Sequence, residues 1–104
     1  MRITVTTRHS LQVDPSLRER ARRIVERIGR RADRAVEATV VLDAAAGRSV
    51  AEIRLHCAGE RMVVATASAE DHRSALDRVQ ARVRRQLRRI QARPRRLRHA
   101  VGYA

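Results

Sequence analysis

The stretch SVAEIRLHC, residues 49–57, places Ala51, Ile53, Leu55 and Cys57 on one side and Val50, Glu52, Arg54 and His56 on the other. A period of two is the period of an extended strand, so the segment has one apolar face and one polar face. Such a strand belongs to a sheet covered on one side only. The cover has to come from amphipathic segments elsewhere in the chain.

Working outward, VEATVVLD at 36–43 reads as a preceding strand, joined through AAAGR, where Gly47 supplies the turn. Downstream, Gly59 in AGE turns the chain into a further strand, RMVVATA, at 61–67. At the N-terminus RITVTT, 2–7, alternates Ile3 and Val5 with polar neighbours and predicts the first strand. Between it and the second strand, Asp14 stands as an N-cap with Pro15 in the first helical position. Leu17, Ala21, Ile24, Val25 and Ile28 then recur on a helical period, predicting a helix over about 15–31.

After the last strand, Ser68 with Asp71 resembles a capping pair, and the acids at 70, 71 and 77 suit the positive end of a helix. Leu76, Val79, Val83, Leu87 and Ile90 form the apolar stripe of that second helix, which Pro94 is expected to end. The glycines at 29, 47 and 59 are expected to serve turns or caps. The order is β-α-β-β-β-α. It predicts an α+β fold with a four-stranded antiparallel sheet and two helices on one face, as a single domain over 1–94 with a basic flexible tail over 95–104.

At 104 residues the chain suits one core, and that core is built without Trp or Phe; Tyr103 is its one aromatic residue. All 24 basic residues are arginine, and the formal net charge is +13. Codon bias explains arginine in place of lysine, but it does not explain the charge. Residues 1–69 hold 13 Arg against 8 acids, and residues 70–104 hold 11 against 3, so the excess lies toward the C-terminal end. A surplus of this size seeks a polyanion: nucleic acid first, with an acidic protein or an anionic membrane surface as alternatives.

Several classes are set aside. The single cysteine, Cys57, admits no intramolecular disulfide, and neither a signal-type apolar segment nor a run of about 18 apolar residues occurs. His9, His56, His72 and His99 show no metal-binding spacing with Cys57. There is no glycine-rich phosphate loop or nucleophile elbow, and Asp14, Glu70, Asp71 and Asp77 are explained by helix starts. The expectation is a cytoplasmic, non-enzymatic protein, monomeric when free, with no cofactor, metal, small-molecule substrate or membrane partner.

The two helices carry the charge. Arg20, Arg23, Arg27 and Arg30 share a stripe on the first. On the second, Arg78, Arg82, Arg84, Arg85, Arg88, Arg89 and Arg93 spread over the half opposite the apolar stripe, without acids at i±4 to relieve Arg82, Arg85 and Arg89. With both helices on one sheet face, these stripes form a basic plate. Guanidinium groups bind phosphate bidentately, and the lack of aromatic stacking residues favours folded RNA read by backbone and shape.

TTRHSLQVDPSLRE at 6–19 resembles the N-terminal signature of the ribosome hibernation-promoting factor and protein Y family, close to T-G-R-H-x-x-V-T-P-x-L-R. VAEIRLHCAGE, ASAEDHRSALD and RVRRQLRR are similar to further family segments in the same order. Ala32 stands where the family usually has an aromatic residue, and His72 and Arg73 stand where it has a Met-Tyr pair. The resemblance implies a β-α-β-β-β-α fold similar to double-stranded-RNA-binding domains, in a short-form member. It also implies a translation inhibitor that binds the small ribosomal subunit and occludes the mRNA and tRNA positions. By match to family basic positions it assigns RNA contact to Arg23, Arg27 and Arg30 on the first helix and Arg82, Arg85, Arg88 and Arg89 on the second; with Arg20 and Arg78 added from the arginine stripes, these form the expected RNA-binding set.

Overall fold

The computed structural model describes residues 1–32, 34–59 and 61–102, with the side chains of 92–102 left outside the description. Its elements follow the expected order: β1 (Arg2–Thr7), α1 (Pro15–Arg31), β2 (Ala35–Ala45), β3 (Arg48–Cys57), β4 (Arg61–Ala69) and α2 (His72–Gly102). The strands lie in the order β1-β2-β3-β4 in one sheet.

The sheet is mixed, which corrects the antiparallel expectation. β2–β3 and β3–β4 are antiparallel, but β1 and β2 pair parallel, Ile3 beside Ala38 and Val5 beside Val40. The reason is topological: α1 carries the chain back across the sheet, so β2 starts at the same end as β1.

Local chemistry fixes the element ends. The Asp14 carboxylate accepts from the Leu17 N–H at 2.9 Å, with Pro15 opening α1 as expected. At α2 the cap is Asp71, which accepts from the Ser74 N–H at 2.8 Å. Ser68, expected to share that role, lies inside β4, because the strand runs on to Ala69 and leaves only Glu70 and Asp71 for the turn.

The β2–β3 hairpin has a two-residue loop, Ala46 and Gly47, between the paired Ala45 and Arg48. Both loop residues have positive φ, 53° and 75°, as a type I′ turn requires. Gly29, in contrast, lies within α1 rather than at a turn. α2 runs through Pro94 to Gly102, correcting the expected stop. A helical proline forfeits its own bond to the carbonyl four residues back, and the Arg, Leu and Ala around it are strong helix formers. Of the segment 95–104 expected as a tail, residues 95–102 continue the helical backbone, and Tyr103 and Ala104 lie outside the described residues.

The core lies between the sheet and the helices. Ala51, Ile53 and Leu55 of β3 are fully buried and Cys57 nearly so, facing Ile24, Val25 and Ile28 of α1 and Leu76, Val79, Val83 and Leu87 of α2. Burying a branched aliphatic side chain of this kind stabilises the fold by about 1.5–3 kcal/mol, which offsets the missing rings by number. The opposite sheet face exposes Met62 and Val64 at its β4 side and pairs several of its charged residues internally. Glu52 binds Arg54 at 2.9 Å and Arg8 at 3.8 Å, and His9 meets Asp43 at 2.9 Å. His72, at one of the positions departing from the family pattern, is half-buried and places Nε2 2.9 Å from the Asp43 carbonyl oxygen, fastening the start of α2 to the end of β2.

Candidate nucleic-acid interface

The two helices run side by side in the same direction. Arg20 of α1 binds Asp77 of α2 at 3.1 Å, and further along Gln91 donates to the Arg31 carbonyl at 2.8 Å. Residues 77, 84 and 91 are one heptad apart, so they form the row of α2 that faces α1. Arg84 sits midway in that row, half-buried, and its Nε is buried without a hydrogen-bond partner.

Charge is segregated between the layers. α1 carries seven arginines against two glutamates, and α2 as far as Gln91 carries seven against Asp77 alone. The open sheet face sets Arg2, Arg8, Arg48 and Arg54 against Glu37, Asp43 and Glu52, close to balance. The positive potential therefore belongs to the helix layer.

The nine arginines expected to bind RNA divide into groups. Arg23, Arg27, Arg30, Arg85, Arg88 and Arg89 are exposed. Among the described residues the one polar partner of this group is Glu19, an exposed i,i+4 neighbour 3.3 Å from Arg23; surface pairs of that kind are worth about 0–1 kcal/mol. Arg20 is held by Asp77. Arg78 and Arg82 point sideways: Arg78 donates to the Ser68 carbonyl at 2.8 Å, and Arg82 donates to the Thr66 carbonyl.

Gln86, which sequence reasoning did not single out, continues the row by donating to the Val64 carbonyl at 3.0 Å. These three residues satisfy the outward carbonyls of β4 from Val64 to Ser68. Arg18 does the same on β1, donating to the Val5 carbonyl at 3.0 Å. The i, i+4, i+8 spacing of 78, 82 and 86 was visible, but that it lies beside a strand edge is a tertiary fact.

Between the helix starts a shallow groove of about 300 Å³ is lined by Ser16, Glu19, Arg20, Arg23, Arg27 and Arg73. The capping acids remain ionised to low pH. Hydrogen bonds from the Ser16 hydroxyl and Leu17 N–H hold the Asp14 carboxyl below its ordinary value, and those from the Ser74 N–H and hydroxyl do the same for Asp71. The His9 contact and the Ala44 N–H lower Asp43. Among the described residues no three His, Cys, Asp or Glu side chains gather as a metal site, and no helix is long and apolar enough to cross a membrane.

A two-layer α+β domain whose helices, rather than its sheet, present the charge is the class that fold and site define. The chain belongs to the family described as sigma 54 modulation protein / S30EA ribosomal protein, which residues 3–95 match. Among solved structures it is similar to the N-terminal domain of Thermus thermophilus Protein Y, at 27% identity and a TM-score of 0.73, covering 86% of this chain and 99% of that one. A ribosomal subunit interface protein from Coxiella burnetii shares the fold at 16% identity and a TM-score of 0.77, covering 89% and 100%. No curated protein matches the chain significantly.

Proposed function

We propose that this chain is a ribosome-associated hibernation factor that seats its helix layer on small-subunit ribosomal RNA and blocks mRNA and tRNA binding by occupancy. Family membership supports ribosome association and translational regulation, and with them a cytoplasmic setting. The observation that carries the finer reading is the segregation of charge: of the six outward arginines on the two helices only Arg23 has an acidic partner, the exposed Glu19, while the opposite sheet face is close to balance. In this reading Arg23, Arg27, Arg30, Arg85, Arg88 and Arg89 meet phosphates. Arg20, Arg78 and Arg82 contribute less, because each would have to share or leave the bond it already makes.

Sedimentation with small subunits, whole ribosomes, duplex DNA and anionic vesicles at matched salt tests this proposal. The expected result is co-sedimentation with small subunits and its loss in the variant Arg85→Glu, Arg89→Glu. Preferential binding to DNA or vesicles would reject the ribosomal reading.

A further inference from the structure

We propose that β4 is a latent pairing edge for a second copy of this chain, and that Arg78, Arg82 and Gln86 are the guard that keeps it shut. β4 ends the sheet, so one side of its backbone lacks a strand neighbour. An edge of this kind is normally blunted by Lys, Glu or Pro within the strand, or by brevity. β4 has none of these. It is nine residues long, RMVVATASA, with Arg61 at one end as its single charge. Val64, Thr66 and Ser68 turn exposed side chains to the open face, and Val64 is 44% exposed.

The protection comes instead from α2. Four helical residues rise about 6 Å and two strand residues about 6.6 Å, so side chains at i, i+4 and i+8 of a helix laid along a strand meet alternate carbonyls in register. Residues 78, 82 and 86 meet the carbonyls of 68, 66 and 64 in this way, descending the strand as they ascend the helix. Every outward carbonyl between Val64 and Ser68 is taken. Two of the three donors are also cationic, and they would confront the same cations on an approaching copy.

The occupant follows from self-complementarity. An antiparallel two-fold pairing centred on Ala65 overlaps all nine residues and sets Val64 opposite the second copy's Thr66, and Met62 opposite its Ser68. β-branched side chains would face each other at the centre, with no like charges opposed along the strand. The product is a continuous eight-stranded sheet.

The experiment is molar mass by light scattering on the full chain carrying Arg78→Ala, Arg82→Ala and Gln86→Ala, with and without Thr66→Pro. All three guard positions lie outside the core, so helix content by circular dichroism should match the parent. The expected result is a shift from monomer to dimer that Thr66→Pro reverses, since proline removes an outward N–H needed for the new pairing and none used by β3. A folded monomeric triple variant overturns the proposal, and so does a dimer that Thr66→Pro leaves intact. If the triple variant unfolds, Arg82→Ala alone decides: its dimer fraction must exceed that of the parent, and equality overturns the proposal. None of these outcomes depends on ribosome binding.

Discussion

The division of the arginines makes a quantitative prediction about salt. Each phosphate neutralised by a protein cation lowers the slope of log K against log salt by about 0.9 for a duplex and about 0.7 for a single strand. If the six exposed arginines of the candidate set, Arg23, Arg27, Arg30, Arg85, Arg88 and Arg89, each engage one phosphate, the slope on small ribosomal subunits should lie near −4 to −5.5. If Arg20, Arg78 and Arg82 also release their partners and bind, nine contacts would give about −6 to −8. The assay is equilibrium binding of labelled protein to purified subunits over a monovalent-salt series at fixed magnesium. Arg85→Glu with Arg89→Glu should flatten the slope by about 1.5–2 as two contacts vanish. Arg78→Ala with Arg82→Ala should leave it nearly unchanged. A parent slope steeper than about −6 would refute the separation of binding from edge-covering arginines, and a flat response would refute phosphate recognition altogether.

Three further predictions concern stability. Arg84→Met keeps the aliphatic stem in the interhelical row and removes the orphaned Nε donor, so chemical denaturation should show a gain of about 1 kcal/mol; a loss of that size would refute the orphan. Ala46 pays for a left-handed conformation that Asn tolerates better, so Ala46→Asn should stabilise by about 0.5–1 kcal/mol, while Gly47→Ala should destabilise. Asp14, Asp43 and Asp71 all have carboxyls lowered in the folded state, so their contribution is present above the ordinary value of 3.8 and is lost as pH falls through their depressed values. Thermal melts should therefore fall in this acid window, and Asp14→Ala should shrink the pH-dependent part; a melting temperature flat across it would contradict the hydrogen bonding described.

Much of the fold was legible because its signals are local. Asp14 and Pro15 mark a helix start with the chemistry of the first turn, and alternation in 49–57 separates core from surface without knowledge of any partner. The errors arose where the answer depends on something distant. The direction of β1 relative to β2 depends on how α1 crosses the sheet, and Ser68 is claimed by a strand whose length is set by pairing with β3. Pro94 signals a stop through its own chemistry, yet the helix-forming sequence around it continues the element. In the candidate site, the stripe Arg23, Arg27 and Arg30 and the outward Arg85, Arg88 and Arg89 were readable from helical spacing. Arg78, Arg82 and Arg84 were not, because a helical wheel reports direction around an axis and is silent about what lies there.

That silence bears on how a basic sequence is read. A guanidinium presents five N–H donors in a planar fork, so one arginine can satisfy a carbonyl that lacks a strand partner as readily as it can grip a phosphate. In a chain with no lysine both tasks fall to the same residue type, and net charge overstates the surface offered to a polyanion. Arg18, Arg78 and Arg82 lie on strand edges and Arg20 is committed to Asp77, whereas the outward arginines of α1 and α2 have little else to do. Substitutions at the edge positions should therefore change self-association before they change ribosome affinity, and substitutions at the outward positions should do the reverse. The two groups can be separated by measuring molar mass and subunit binding on the same variants.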